Sequence, residues 1–480
     1  MMNKHTIASK LDRTLTVAAV LAGLSLPVHA AGFPETYGVG SRAMGLGNAF
    51  TAVADNAFGL YYNPAGLSQT QGHEISAEFM YTDPRLEVTR LDNGQELMTT
   101  DVRGYERSNP NESSFRGDLI LPVTMIGAQL DVNRIAPGLP CNTQLGIIFS
   151  LPEKFESEYR QNDFPPDQPH LIRYGDNISH LVISAGVGVE LVKDLVHVGV
   201  GTTGLLTNEG RFFIDELQDV VGTPTDVVTQ CELGVSWSFW PNAGILVTPF
   251  DKHLKLGFSW TKAYETEMGP LPIYTEVDGG GIKITMPMML DCNSFYTPEM
   301  LRYGVALDFE HFLLSFDVWH QEWSDYAYST TDMFNYSASN SNIVAPIKEN
   351  SSPNFEDTLN YGVGLELRPT KDLSLMAGYS YVPTPVPDQS WRVSNYIDGD
   401  RSIYSLGLAY TTHPSFLVMP LTVSGTVQYH DFKDFTVYKD GVKGLTAWDG
   451  PHGTTTGKNQ TSYRVEGDVL AASVGVSMKW

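Results

Sequence analysis

One pattern repeats from residue 75 to the last residue: apolar side chains alternate one for one with polar or small ones, in short rows broken by turn formers. Tyr303, Val305, Leu307 and Phe309 alternate with Gly304, Ala306 and Asp308. After Glu310-His311, Phe312, Leu314, Phe316 and Val318 alternate with Leu313, Ser315, Asp317 and Trp319, which makes a hairpin. Similar rows are Ile75/Ala77/Phe79/Tyr81, Tyr361/Val363/Leu365/Leu367, Tyr404/Leu406/Leu408/Tyr410 and, at the end, Leu470/Ala472/Val474/Val476/Met478/Trp480. Side chains two apart share a sheet face, so each strand has one apolar face and one polar or small face. A strand between lipid and a lumen needs that division, and a terminal aromatic suits the headgroup level.

The connections alternate in length. Short turns lie near 132–142, 192–195, 249–253, 310–311, 369–372 and 413–419; long links lie near 87–118, 155–175, 207–227, 266–297, 325–357, 384–399 and 435–466. Seven long and six short links join about fourteen strands. An even number leaves both termini on the short-turn side, the periplasm, and the long loops outside. A soluble β-sandwich alternates too, but does not put long loops on every second connection. The expected fold is therefore all-β: a transmembrane antiparallel β-barrel.

Residues 1–30 carry Lys4, Lys10 and Arg13, an apolar stretch from Leu15 to Leu26, and Pro27-Val28-His29-Ala30. This is the layout of a secretory signal, with the mature chain starting at Ala31. About twelve apolar residues are too few to cross a bilayer. Without residues 1–30, three basic residues and Asp12 are lost, and the formal charge goes from −24 to −26. So acidic a chain, without a basic patch, is no nucleic-acid binder.

Residues 31–72 fit no strand. Glycines punctuate short apolar pieces there, and Met44, Leu46, Phe50, Phe58, Leu60, Tyr61 and Tyr62 are too apolar for a free linker. Asn63-Pro64 starts a tight turn: Asn accepts from free amides, and Pro at the first helical position loses no hydrogen bond. The segment is expected to fold back into the lumen as a hatch ahead of a barrel over 73–480.

Three stretches carry a resemblance. They are Ala31-Gly32-Phe33, the run from Gly40-Ser41-Arg42-Ala43-Met44-Gly45-Leu46-Gly47-Asn48 to Asp55, and Tyr61-Tyr62-Asn63-Pro64-Ala65-Gly66-Leu67. Together they resemble the hatch of the FadL/TodX family of hydrophobic-compound transporters. Weaker similarity continues through Tyr296-Thr297-Pro298-Glu299, Trp323-Ser324, Ala377-Gly378-Tyr379 and Asp398-Gly399-Asp400-Arg401.

The resemblance implies passive outer-membrane uptake of long-chain fatty acids or other hydrophobic molecules, past lipopolysaccharide and outer-membrane lipid. The ligand would be captured on loops, bound in the lumen, and released laterally after the hatch, with Asn63, Pro64 and Ala65, shifts. Phe33 matches the family's third mature residue, near the lumen pocket. Pro152 falls in the third strand, the one whose kink opens the wall in better-known members; it also fits the point where that strand leaves the membrane. The residue that would hold a carboxylate is not assignable from the resemblance.

Two loops offer capture surfaces. In 207–227, Phe213, Leu217, Val220 and Val221 have the spacing of one stripe of a short helix. In 266–297, Met286 and Met288 sit among Ile282, Ile284, Met289 and Leu290, and methionine adapts to varied ligands. The plain alternative is that the two loops pack on each other.

No catalytic residue is expected. Gly199-Val200-Gly201-Thr202-Thr203-Gly204 satisfies G-x-G-x-x-G but lies in an alternating strand, not at a strand-to-helix turn. There is no G-x-S-x-G or H-E-x-x-H. His73-Glu74 and Asp398-Gly399-Asp400 lack the further ligands of a metal site, and no cofactor is implied. Cys231 begins the sixth strand and Cys292 ends the next long loop, so these two can meet in a disulfide at the outer rim; Cys141 falls in a short turn. The alternatives on the same barrel are a polar-solute porin, a surface adhesin or phage receptor, and an outer-membrane phospholipase.

Overall fold

The alternating rows pair in chain order and close on themselves. The strands are β1 (Glu74–Asp92), β2 (Leu121–Asp131), β3 (Thr143–Pro152), β4 (Val182–Val192), β5 (Val196–Asp219), β6 (Pro224–Val247) and β7 (Leu254–Thr261). They continue with β8 (Glu299–Asp308), β9 (Phe312–Glu322), β10 (Thr358–Thr370), β11 (Leu373–Val382), β12 (Arg401–Thr412), β13 (Leu421–Val437) and β14 (Ser462–Lys479). Each is antiparallel to its neighbours, and β14 returns to β1 from Glu74 opposite Lys479 to Leu91 opposite Ser462. The result is a closed fourteen-stranded barrel, as the alternation and the connections predict. Closure removes every free sheet edge, which a bilayer demands.

The structure is a computed structural model. It describes residues 32–92, 95–101, 121–152, 169–174, 180–219, 224–279, 282–326, 332–335, 354–390, 395–414, 419–438 and 462–480, with the backbone alone at 90, 92, 95–101, 169–170, 207–236, 266–295, 332–335 and 395. The expected signal segment and the cleavage point before Ala31 lie outside the described residues.

The outer wall carries the predicted apolar rows. Leu359, Tyr361, Val363, Leu365 and Leu367 of β10 are exposed, while Thr358, Asn360 and Glu366 between them are buried. Val474 and Val476 of β14 are exposed beside buried Ser473 and Gly475. So many exposed apolar side chains in one band would be unfavourable in water and suit lipid. At the short-turn end Trp480 exchanges backbone hydrogen bonds of 2.9 and 3.0 Å with His73 and lays its ring 5.5 Å from the His73 ring.

Two long links differ from expectation. Residues 207–219 and 224–227 are extended, not helical: β5 and β6 pair along their length, with Phe213 opposite Gln230 and Leu217 opposite Asp226, while Val220 and Val221 lie outside the described residues. An i, i+4 spacing is even, so it marks one face of a strand as well as one stripe of a helix. The β formers Phe212, Phe213, Ile214, Val227 and Val228 then favour the strand. Likewise 266–297 belongs to a hairpin, Tyr264–Gly279 with Ile282–Thr297, placing Met286 opposite Thr275 and Met288 opposite Ile273. The two hairpins meet where 215–219 pairs parallel with 274–278.

Inside the ring lies the N-terminal segment, built from α1 (Phe33–Tyr37), α2 (Ser41–Gly45), α3 (Gly59–Tyr62) and a 3-10 turn, Pro64–Gln69. Almost all of it is buried: Phe33, Tyr37, Met44, Phe50, Phe58, Leu60 and Leu67 are at most 1% exposed.

Candidate functional site in the barrel lumen

The hatch is seated by polar side chains from around the wall. Glu78 on β1 accepts from the Ser41 backbone amide (2.5 Å) and hydroxyl (2.7 Å), at the start of α2. Asp317 on β9 accepts from the Thr51 amide (2.8 Å). Ser259, Gln428 and Gln129 donate to the carbonyls of Tyr62 (2.6 Å), Met44 (3.1 Å) and Leu67 (3.0 Å). Arg42 pairs with Asp55 within the hatch and with Glu366 of the wall (2.9 Å). The buried amides and carbonyls of short helices, which lack internal partners, are thus satisfied by the barrel.

The Asn63-Pro64-Ala65 turn lies close against the wall. Asn63 Oδ1 accepts from the Ala65 amide (3.1 Å), capping the 3-10 turn, while Nδ2 donates to the carbonyls of Thr51 (3.0 Å) and, on β6, Ile245 (3.2 Å). The wall opposite is bare of side chains. A Cβ on Gly244 would lie 2.0 Å from Asn63 Oδ1, and one on Gly199 2.3 Å from the Ala65 nitrogen. Gly199 opens the G-x-G-x-x-G run, so the structural reason for glycine there is the close approach of the hatch.

Above the hatch, the inward face changes character. On β1 the inward residues are Glu74, Ser76 and Glu78 at the short-turn end, but Leu86 and Val88 at the long-loop end, all buried. The outward residues change oppositely, from exposed Ile75, Phe79 and Tyr81 to exposed Arg85 and Glu87. The β1–β14 ladder is continuous across this change, so no bulge causes it. β14 repeats it, with inward Ser473 below and inward Val465 and Val469 above. With Phe432, Leu121 and Val123 these residues form an apolar upper wall, in one buried cluster with Phe33 and Tyr174.

This wall ends at a group of buried charges. A two-stranded parallel pairing of Pro169–Leu171 with Asn395–Ile397 brings Arg173 and Tyr174 beside Asp398 and Arg401. Arg173 lies 3.4 Å from Asp398, and Arg401 donates to the Tyr174 hydroxyl (2.7 Å). All four are at most 2% exposed. The hatch reaches the group through Tyr37, whose ring is 5.4 Å from that of His430, and through Thr36, whose hydroxyl donates to the Arg173 carbonyl (3.4 Å).

Among the described residues two guanidiniums face one carboxylate, and beyond the Arg173–Asp398 ion pair Arg173 Nη2, Arg401 Nε, Asp398 Oδ1 and His430 Nδ1 have no hydrogen-bond partner. Burial pushes the Arg173 guanidinium down, against the pull of Asp398 and with the help of Arg401, to about 10. It stays charged at neutral pH. A buried surplus positive charge with idle donors is complementary to an anion.

The other residues singled out from the sequence are scattered. Phe33 opens α1, fully buried; Pro152 is the last residue of β3, opposite Val123. Phe213, Leu217, Met286 and Met288 lie on the extended hairpins, with side chains outside the described residues. Cys231 is within β6, opposite Phe212, and Cys292 opposite Met268; their side chains too lie outside the described residues. Cys141 is free and half-buried. Arg173, Tyr174 and Arg401 were not anticipated. The available signal was Leu171-Ile172-Arg173-Tyr174, an apolar run with an arginine inside a polar link, and the shift of the apolar positions of β1 from odd to even numbers.

The sequence matches, over residues 24–474, the family described as outer membrane protein transport protein (OMPP1/FadL/TodX). Alkane uptake protein A of Marinobacter nauticus is 21% identical over 493 residues, covering 97% of this chain and 96% of that protein. The crystal structure of a Pseudomonas aeruginosa FadL homologue superposes with a TM-score of 0.53 at 12% identity, over 89% of this chain and 95% of that one. With the match spanning nearly the whole sequence, and with a closed barrel around a buried N-terminal segment, the chain belongs to the FadL/TodX family of outer-membrane transport proteins for hydrophobic compounds.

Proposed function

We propose that this protein carries long-chain fatty acids passively across the outer membrane, and that the apolar upper wall ending at Arg173 and Arg401 is where they bind. The acyl chain lies against Leu86, Val88, Phe432 and Val465, where apolar contact is worth about 25 cal/mol per Å². The carboxylate takes the idle donors of the two arginines. Phe213, Leu217, Met286 and Met288 on the hairpins capture the ligand first. Movement of the hatch about Asn63, Pro64 and Ala65 then opens the way to the periplasmic end or to a lateral gap beside Pro152. The downhill partition of an apolar solute suffices as driving force.

The observation that carries this reading is the net positive, under-bonded cluster at the end of an apolar wall; a site for hydrocarbons alone has no use for it. The alkane uptake relative favours a second reading, alkanes as the main ligand. The two separate in one assay: uptake of labelled oleate and hexadecane by cells with and without the protein, and with Arg401→Met. Arg401 is chosen because, among the described residues, no carboxylate pairs with it. The substitution should raise the oleate concentration for half-maximal uptake about tenfold or more, as loss of a charge-assisted hydrogen bond of about 1.5–3 kcal/mol does, and leave hexadecane uptake unchanged. Hexadecane uptake without any oleate uptake would replace the fatty-acid reading by the alkane one.

A further inference from the structure

Arg302 on β8 is a second buried cation in the lumen, at the level of the hatch and apart from the Arg173 cluster. It is 5% exposed, and its Nη1 is enclosed with no acceptor. Among the described residues it makes no ion pair or hydrogen bond. Aromatic faces hold it instead: its guanidinium carbon is 5.7 Å from the ring centre of Tyr61, 5.4 Å from Tyr62 and 5.4 Å from Trp319. Trp319 belongs to the wall, whereas Tyr61 and Tyr62 belong to α3 of the hatch. Two buried acids act on it at a distance, Glu35 of the hatch and Asp317 of β9. Both are already engaged, Glu35 accepting from Tyr61 Oη (3.0 Å) and the Gly32 amide (3.0 Å) and Asp317 from the Thr51 amide (2.8 Å), and neither bonds Arg302.

A guanidinium offers five N–H donors, and burying it with those donors idle is unfavourable unless an acceptor arrives. Ring faces attract a cation through their quadrupole, but a carboxylate gripped by two parallel N–H bonds attracts it more strongly. The hatch also links this position to the cluster above. The Tyr62 hydroxyl accepts from the Val39 amide (2.9 Å), two residues beyond Tyr37, and donates to Asn48 (2.9 Å).

We propose that Arg302 is a second anion subsite that couples ligand to hatch: a carboxylate descending from the Arg173 cluster takes its donors, draws the guanidinium off Tyr61 and Tyr62, and loosens α3. This rests on the fatty-acid reading and adds a specificity device to it, because a hydrocarbon cannot release the hatch in this way. Ser259, which donates to the Tyr62 carbonyl (2.6 Å), keeps α3 on the wall when no ligand is present.

The test uses full-length protein with Cys141, Cys231 and Cys292 changed to Ser and Ala49→Cys as a buried hatch probe. Oleate should speed the labelling of that thiol by a water-soluble maleimide. With Arg302→Met this acceleration should disappear and oleate uptake fall about tenfold, while oleate affinity changes less than about threefold because the upper arginines are intact. Hexadecane uptake should hold within about twofold. Arg302→Lys, which keeps the charge without the fork, should fall between and serves if the Met variant assembles poorly. Unchanged oleate-stimulated labelling and uptake in Arg302→Met would overturn the coupling alone, and equal loss of oleate and hexadecane uptake would reduce Arg302 to hatch packing. Unaltered protein that binds no oleate would overturn both this inference and the fatty-acid reading.

Discussion

The lumen has two levels made by the same strands. At the lower level β1, β13 and β14 point Glu78, Thr426, Gln428 and Ser473 inward and apolar side chains outward; at the upper level they point Leu86, Phe432, Val465 and Val469 inward. The lower level is the inverted pattern of a membrane barrel, and the upper is that of a soluble sheet with an apolar interior. In an open pore the inward face would be polar throughout and bathed in water. Here the lower polar residues bond the hatch backbone, and the upper apolar ones leave a surface that water wets poorly. A lumen of this kind favours solutes that a porin excludes.

Breaking the lower level should have the largest effect. Deleting residues 32–67 removes the hatch groups that Glu78, Asp317, Gln428 and Ser259 bind, and should admit small hydrophilic antibiotics while selective oleate uptake is lost. Asn63→Ala with Pro64→Ala is gentler: it removes a cap worth about 1 kcal/mol and strips the Thr51 and Ile245 carbonyls of a donor. Uptake should fall while the barrel keeps its heat-dependent mobility on gels, since the wall closes through its own ladder. Antibiotic sensitivity and oleate uptake, measured in the same strains at matched protein levels, decide this. Normal uptake in both variants would remove the hatch from the mechanism and bring the receptor reading forward.

The upper level is sharpened at its outer end. If Phe213, Leu217, Met286 and Met288 capture ligand, changing all four to Ser should raise the oleate concentration needed for uptake about tenfold, each losing apolar contact of order 1 kcal/mol. The maximal rate should stay the same. An unchanged concentration dependence would mean that the two hairpins merely pack on each other.

The smallest effect concerns the ion pairs of the lower level. Burial alone would raise the Asp55 carboxyl, but Arg42 beside it, with Lys255 and Lys479 farther off, holds it at about 2. A carboxylate depressed in the folded state contributes stability above its unfolded value, about 4, and loses it as pH falls through about 2. Protection of Ala49→Cys, read at each pH with a pyridyl disulfide, which reacts with thiols in acid as well as at neutral pH, should decline as the pH falls below about 4. A decline already between pH 7 and 5 would mean that another group controls the seat of the hatch.

Much of this could be read along the chain. Alternation with period two decides which face of a strand meets lipid, and Asn63-Pro64 decides a turn, because both depend on residues within a few positions of each other. At Phe213 and Leu217 the structure departs from the helical stripe for a local reason: an even spacing satisfies a strand and a helix stripe alike, and only the ladder with β6 separates them.

By itself, then, the sequence determined the barrel, its strand count and the apolar N-terminal segment, since repeated local patterns leave few alternatives once a bilayer forbids open edges. The tertiary structure alone decided where the charges meet. Arg173 and Arg401 are far apart in sequence, and Arg302 and Tyr61 lie on different elements. They come together because closure of the ring fixes which inward residues share a level and which of them the hatch leaves unpaired, and no local spacing encodes that.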